Sequence, residues 1–206
     1  GENSKEKIIE LCVKNTELLL SKKCKLIVVA CNTATTNAIS HLRANYTIPF
    51  IGIEPATKPA VLQTKTGKIG ILATKGTLAS ELFYNTSEKH RGNVEIIEQI
   101  GTGLVQLIEE NRIAETKSLL EKLIVPMLNK GVDNIVLGCS HYPFLKPVLE
   151  QIIPAGINIV DSGEPVAKQT KKVLELHNLS VSKNNHAKHL FYTNGELKIL
   201  DIFVSK

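Results

Sequence analysis

The sequence is poor in aromatic residues and lacks the long apolar runs that cross membranes. Its 206 residues include no tryptophan, one methionine and 4% aromatic residues, yet 43% of them are hydrophobic. The core must therefore be aliphatic, built from Ile, Leu, Val and Ala. No apolar run approaches the roughly 20 residues of a transmembrane helix, and the polar opening GENSKEK is unlike a signal peptide. These absences predict a protein with neither a membrane span nor a secretion signal.

Clustered charge and clustered metal ligands are also absent. The 25 Lys and Arg residues against 20 Asp and Glu residues give a net charge of +5, but no basic run or stripe is present. This pattern argues against nucleic-acid binding and is compatible with an acidic ligand. The four cysteines form no CxxC pair and no Cys/His cluster with zinc spacing. We therefore predict no metal site, no disulfide scaffold and a reducing, cytoplasmic setting for Cys12, Cys24, Cys31 and Cys139.

The sequence does contain a regular alternation of apolar runs and amphipathic segments. The apolar runs predict strands at 25–30, 48–53, 68–73, 94–100, 134–138, 157–161 and 189–193. The segments between them predict helices at 5–20, 34–45, 77–89, 103–110, 113–130, 147–153 and 164–177. Strands separated by helices predict an α/β fold with parallel sheets.

Two segments share one plan, in which a buried strand ends at a small residue, a cysteine and polar residues. They are LIVVACNTAT at 26–35 and NIVLGCSHYP at 134–143. Ligands of open parallel sheets bind beyond the carboxyl ends of strands, and a helix beginning there stabilises a thiolate. A pair of thiols facing one ligand could remove a proton from one side of a carbon and return one to the other. Structural cysteines and a redox pair are the alternatives for Cys31 and Cys139, while Cys12 and Cys24 are predicted to have no catalytic role.

Hydrogen-bonding side chains follow both strand-end cysteines. Asn32 and Thr33 come directly after Cys31, and Ser140 and His141 come directly after Cys139. Alone, each is explained by helix capping or by a structural hydrogen bond. Their matched placement favours a polar ligand site between the two segments.

These segments resemble the glutamate racemases of the aspartate/glutamate racemase superfamily. ACNTAT at 30–35 resembles the first cysteine motif of that family, and GCSHYPFL at 138–145 resembles the second, with Ser140 in place of the usual threonine. Further segments resemble the family in the same order: GIEPATKPA at 52–60, IGILATKGTLAS at 69–80, IVDSGEPVA at 159–167 and FYTNGE at 191–196. The HYP at 141–143 favours glutamate over aspartate as the substrate.

The resemblance implies a fold and an activity. Two pseudo-symmetric α/β lobes would have parallel sheets flanked by helices, with the active site in the cleft between them. Residues 1–55 plus 162–206 would form the first lobe, and 56–161 the second. The activity would be cofactor-independent interconversion of L- and D-glutamate, which supplies D-glutamate for peptidoglycan. Family members often form dimers, so a homodimer is a further prediction.

The resemblance also implies roles for individual residues. Cys31 and Cys139 would be the acid/base pair, and His141 would assist Cys139. Glu109 would be the acidic residue on the Cys139 side of the site, and Glu110 is the other candidate for this role. The alternative for Glu109 is an exposed side chain on a solvated helix face. The substrate-binding residues would be Gly1, Asn32, Thr33, Thr74, Ser140 and His141, and Thr77 is a further candidate.

One departure from the family concerns the start of the sequence. Family members begin with a strand and an Asp-Ser-Gly motif, followed by a PYG loop, and Gly1 is either the last residue of that loop or a glycine left from expression. Asp161, Ser162 and Gly163 lie near the other end of the sequence and do not replace this motif. We therefore expect weak or no activity from this chain. The alternatives are a non-catalytic remnant that binds an acidic ligand or a protein, and a racemase for aspartate or hydantoin.

Overall fold

A computed structural model of the chain describes residues 3–181 and 188–204. Its strands form two separate parallel sheets with helices packed around them, which confirms the predicted α/β class. Among the described residues, no helix is long and apolar enough to cross a membrane.

The smaller sheet has two strands, β1 (Ile27–Val29) and β2 (Phe50–Gly52). They pair in parallel, with Ile27 opposite Phe50 and Val29 opposite Gly52. Helices α1 (Lys5–Ser21) and α2 (Asn32–Asn45) pack against each other beside this sheet. Their apolar faces and the strands share one core cluster, whose buried members are Ile27, Ile39, Leu42 and Phe50.

Thr35 joins the ends of both strands to α2. Its hydroxyl donates to the backbone oxygen of Val29 at 3.0 Å and accepts from the backbone N–H of Ile53 at 3.0 Å. Gly52 makes this contact possible, because a Cβ at that position would lie 2.5 Å from Cγ2 of Thr35. The first turn of α2 is therefore held directly above the carboxyl ends of β1 and β2.

The larger sheet has four strands in the order β4-β3-β5-β6. They are β3 (Lys68–Ala73), β4 (Glu95–Ile100), β5 (Asn134–Gly138) and β6 (Asn158–Val160). Ala73 pairs with Ile100 on one side and with Gly138 on the other, so three strands end at the same level. The buried residues of β3 and β5 explain why both appear in the sequence as continuous apolar runs.

Helices cover both faces of the larger sheet. They are α3 (Thr57–Gln63), α4 (Lys75–Leu78), α5 (Glu81–Arg91), α6 (Leu104–Glu109), α7 (Thr116–Asn129) and α8 (Lys146–Ile152). Two short 3₁₀ helices, Ile113–Glu115 and Tyr142–Leu145, precede α7 and α8. The larger core cluster, on one face, includes Leu104, Leu120, Ile124, Leu137 and Leu149, all at most 2% exposed.

The sequence prediction fails in four places. The strand predicted at 189–193 is wrong, because these residues form no regular structure and Leu190, Phe191 and Tyr192 are all more than half exposed. The single helix predicted at 77–89 is two helices, since Ser80 caps a new one by accepting from the backbone N–H of Phe83. Two helices were not predicted, α3 and the final helix α10 (Leu197–Val204).

The last part of the chain contacts both sheets. Helix α9 (Gly163–Leu176) packs against β2, and the hydroxyl of Ser162 before it donates to the backbone oxygen of Glu54. Phe203 of α10 packs against the core of the larger sheet, where its ring meets Phe144 edge-on at 5.1 Å. The lobe boundaries at 55 and 162 stay a prediction.

Candidate active site

A cavity of about 260 Å³ lies where α2 and the carboxyl ends of β3 and β5 face each other. Cys31 and Cys139 are both on its wall, as are the polar residues that follow each of them. The lining residues are Asn3, Ile8, Leu11, Cys12, Asn15, Cys31, Asn32, Thr33, Ala34, Thr74, Thr77, Val105, Gly138, Cys139, Ser140 and His141. None of these residues is Lys, Arg, Asp or Glu, so such side chains place no fixed charge on the cavity wall, where hydroxyl, amide and thiol groups lie among apolar side chains.

Cys31 occupies the cap position before α2. Its backbone is extended, with φ −140° and ψ 122°, and its carbonyl oxygen accepts the first helical hydrogen bond from the backbone N–H of Thr35 at 2.8 Å. The residue is exposed. The free N–H groups and the dipole of a 14-residue helix therefore favour an anionic ligand group at this position.

Cys139 follows β5 and is buried, with 7% of its surface exposed. Burial raises the pKa of its thiol to about 11; hydrogen bonds from the backbone N–H groups of His141 and Tyr142 oppose this rise, while negative charge on Cys31 adds to it. Gly138 allows the close packing here, because a Cβ at that position would lie 2.7 Å from the Cβ of Ala73. Cys139 is therefore a protonated thiol at neutral pH.

His141 connects Cys139 to a carboxylate. Its Nδ1 lies 3.8 Å from the Cys139 sulfur, and its Nε2 lies 3.0 Å from Oε1 of Glu109 at the end of α6. Glu110, the rival in the sequence, accepts instead from Gln106 at 2.8 Å and from Arg112 at 2.6 Å. The structure thus brings together Cys139, His141 and Glu109, in a chain that could move a proton between the buried sulfur and the surface.

Tyr142 holds this chain in place, a role that the sequence did not indicate. Its ring is fully buried, and its hydroxyl donates to the backbone oxygen of Gly101 at 3.1 Å. Burial raises the pKa of Tyr142, so the hydroxyl stays a donor. The segment that contains Cys139 and His141 is therefore anchored, through this hydrogen bond, to the backbone directly after β4.

Three threonine hydroxyls form a triangle on the other side of the cavity. Oγ1 of Thr33 lies 2.8 Å from that of Thr74 and 3.2 Å from that of Thr77, and the last two are 3.0 Å apart. Thr33 is in the first turn of α2, whereas Thr74 and Thr77 follow β3. The triangle consequently links α2, beside the smaller sheet, to the segment that follows β3 of the larger sheet.

Asn32 has a buried side-chain oxygen that is satisfied by no other described residue. The residue is 3% exposed and lines the cavity, but its Oδ1 accepts no hydrogen bond within the part of the chain that the structure describes. A buried acceptor without a donor costs about 1–3 kcal/mol. This oxygen is therefore suited to accept from a ligand that enters the cavity.

The remaining predicted residues are distributed as follows. Ser140 lines the cavity, whereas Gly1 lies outside the described residues. Cys24 is half-buried in the turn after α1 and is not among the lining residues. Cys12 and Asn15 of α1 do line the cavity, which the sequence did not predict because α1 precedes the first cysteine motif. Within the described ranges, no group of three or more His, Cys, Asp or Glu side chains is arranged to hold a metal ion.

Comparison with known proteins relates the chain to racemases. The profile of the Asp/Glu/Hydantoin racemase family matches residues 2–170. Glutamate racemase of Herpetosiphon aurantiacus is 38% identical over 198 residues, which cover 95% of this chain and 78% of that protein. Glutamate racemase of Ectopseudomonas mendocina is 40% identical over 201 residues, which cover 96% of this chain and 76% of that protein.

A solved structure extends the likeness to three dimensions. The crystal structure of Escherichia coli glutamate racemase, in complex with L-glutamate and the activator UDP-MurNAc-ala, matches with a TM-score of 0.84 at 30% identity. The match covers 99% of this chain and 79% of that one. The chain therefore belongs to the Asp/Glu/Hydantoin racemase family and, within it, to the glutamate racemases.

Proposed function

We propose that the chain interconverts L- and D-glutamate without a cofactor, with Cys31 and Cys139 as the acid/base pair. The observation that carries this proposal is that both cysteines line one cavity while, among the residues that the structure describes, Cys139 alone is followed by a histidine–carboxylate chain. D-glutamate for peptidoglycan is the product that follows from this reaction in a bacterium.

The proton balance assigns a task to each group. In one direction, the Cys31 thiolate takes the α-hydrogen as a proton, and the Cys139 thiol gives its proton to the opposite face of the same carbon. The reaction leaves a neutral Cys31 and an ionised Cys139. Cys31 is exposed and can exchange its proton with water, whereas the buried Cys139 needs His141 and Glu109 to exchange protons with the surface.

The hydroxyl and amide groups on the cavity wall suit an amino acid with two carboxylates. Since no Lys or Arg side chain lines the described cavity, the carboxylates would be bound by hydroxyls and by backbone N–H groups. Thr33, Thr74 and Ser140 supply the hydroxyls, and the first turn of α2 supplies N–H groups whose dipole favours an anion. The unsatisfied Oδ1 of Asn32 would accept from the substrate ammonium.

The predicted lobes suit such a site, and we propose them as its framework. Residues 1–55 with 162–206 would carry Cys31, and residues 56–161 would carry Cys139. The cytoplasm is the proposed location, because two reactive thiols need a reducing compartment. A homodimer is also part of the proposal and is tested by light scattering.

Isotope exchange tests the proposal. L-Glutamate is incubated with the protein in D₂O, and the α-carbon of each enantiomer is followed by mass spectrometry after chiral separation. We expect the D-glutamate formed first to carry one solvent deuterium while the remaining L-glutamate keeps its hydrogen, because each face has its own thiol. Deuterium entering L-glutamate as fast as D-glutamate forms would contradict the use of two separate groups.

Two further measurements make the assay specific. Aspartate at the same concentration should exchange much more slowly than glutamate. Binding of glutamate by calorimetry with no exchange would instead identify a non-catalytic protein.

A further inference from the structure

A third thiol lies beside the exposed cysteine of the cavity. Cys12 of α1 lines the same cavity as Cys31, and α1 packs along α2, whose cap residue is Cys31. Cys12 is half-buried against the core cluster of the smaller sheet. Burial raises the pKa of Cys12, and negative charge on Cys31 raises it further.

The two cysteines differ in the way that a peroxide-sensitive pair requires. Cys31 is exposed at the cap position before α2, so a peroxide in solvent reaches its sulfur directly. Cys12 is less exposed and lies on the cavity wall, where it could react with an oxidised Cys31 but meets solvent peroxide less often. We propose that Cys31 and Cys12 form a reversible disulfide when the protein meets a hydroperoxide.

The chemistry has two balanced steps. The Cys31 thiolate attacks one oxygen of hydrogen peroxide, the O–O bond breaks, and Cys31 becomes a sulfenic acid while hydroxide takes up a proton and leaves as water. The Cys12 sulfur then attacks the Cys31 sulfur, a disulfide forms, and a second water leaves with the proton of Cys12. Each peroxide therefore oxidises two thiols, and a dithiol reductant reverses the reaction.

Cys12 is favoured over Cys139 as the partner of Cys31. Cys139 is buried at 7% exposure and its sulfur faces His141 and two backbone N–H groups. It also follows β5 of the other sheet, whereas Cys12 is on a helix packed directly against α2. A link from Cys31 to Cys12 thus needs no movement of one sheet relative to the other.

Peptide mapping tests the proposal without reference to racemase activity. The folded protein is treated with hydrogen peroxide, its remaining thiols are blocked, and it is digested with trypsin without reduction. Cleavage after Lys and Arg places the four cysteines on different peptides, with Cys12 in residues 8–14 and Cys31 in residues 26–43. We expect a species that joins these two peptides, lighter by two hydrogens than their sum, to be the main oxidised product and to disappear with dithiothreitol.

A matched pair of variants sharpens the test. Cys12→Ser should lose the linked species and should instead accumulate sulfinic acid on Cys31, which dithiothreitol does not reverse. Cys24→Ser, at a cysteine outside the cavity, should behave as the parent chain does. A Cys31–Cys139 link as the main product, sulfinic acid on Cys31 of the parent chain, or no oxidation of Cys31 at all would each overturn the proposal.

Discussion

Cys31 and Cys139 occupy matching places after strands of the two sheets, yet their surroundings are opposite. Cys31 is exposed, and the structure gives its sulfur no hydrogen-bond partner among the described residues. Cys139 is buried, its pKa is raised to about 11, and His141 and Glu109 stand behind it. The comparison teaches that a symmetric reaction does not require symmetric proton delivery, because solvent can serve one thiol while side chains serve the other.

Removing either sulfur should produce the largest effect. Cys31→Ser and Cys139→Ser should each lower racemisation about a thousandfold, because a hydroxyl is a far weaker acid than a thiol and rarely becomes the base. Each variant should still exchange deuterium slowly into one enantiomer, the one whose α-hydrogen faces the remaining thiol. Exchange into the same enantiomer by both variants would contradict the assignment to opposite faces.

Glu109→Gln should lower kcat about a hundredfold, because the amide cannot stabilise the charge that His141 gains while it serves Cys139. Glu110→Gln is the matched control, since Glu110 contacts Gln106 and Arg112 instead of His141. Steady-state rates with both enantiomers provide the measurement. An equal loss from the Glu110 variant would show that the two carboxylates had been assigned wrongly.

Alkylation should distinguish the cysteines by their pH dependence. Because burial raises the pKa of Cys139 to about 11, its thiolate fraction should increase about tenfold per pH unit between pH 7 and 10. Labelling with iodoacetamide, followed by mass spectrometry of each cysteine peptide, measures this slope. Cys31 should be labelled first at pH 7, and a plateau in Cys139 labelling below pH 9 would contradict the effect of burial.

Asp133 lies at the end of the larger sheet that is opposite the cavity, so a change there should alter stability and leave catalysis unaffected. Burial alone would raise the pKa of Asp133, but hydrogen bonds from the Thr64 hydroxyl and from the backbone N–H groups of Thr66 and Lys65 lower it overall. The stability that this carboxylate contributes is present above its unfolded pKa of about 3.9 and is lost as the pH falls below that value. Asp133→Asn should remove about 1–3 kcal/mol of unfolding free energy and leave kcat unchanged.

Urea denaturation at pH 7 measures the effect at Asp133. Glu121→Gln, an exposed change on α7, is the control and should alter stability by less than about 0.5 kcal/mol. If Asp133→Asn were as stable as the parent chain at pH 7, the hydrogen bonds to its carboxylate would contribute nothing.

The buried strands of the larger sheet were predictable from the sequence, whereas the structure of the last part of the chain was not. Residues 68–73 and 134–138 are strands to the residue, because strands buried on both faces leave an unbroken apolar run. Residues 189–193 also read as a strand in the sequence but form no strand in the structure. The prediction failed because a strand needs a partner strand to pair with, and the sequence alone does not show whether one is available. Helix α10 was missed because its apolar face is recognisable only beside the surface that it covers.

The site divides in the same way. That Cys31 and Cys139 each follow a buried strand could be predicted from the sequence. That both line one cavity could not, because their strands belong to different sheets, and the resemblance to the racemases supplied that expectation. The choice between Glu109 and Glu110 depends on helix rotation, which a single sequence does not fix where a helix is only six residues long. The burial of Cys139 depends on Tyr142 and on distant residues of the larger core, so its raised pKa could not be read from the GCSHYP motif.

The unmatched amide oxygen of Asn32 has a consequence for selectivity inside a cell. A 2-oxo acid of the same length has the two carboxylates of glutamate but no nitrogen to donate, so it would leave this oxygen buried and still unsatisfied. That deficit of about 1–3 kcal/mol corresponds to binding weaker by about fivefold to more than a hundredfold. The cavity would thereby favour the amine over its keto counterpart before any bond to hydrogen is broken.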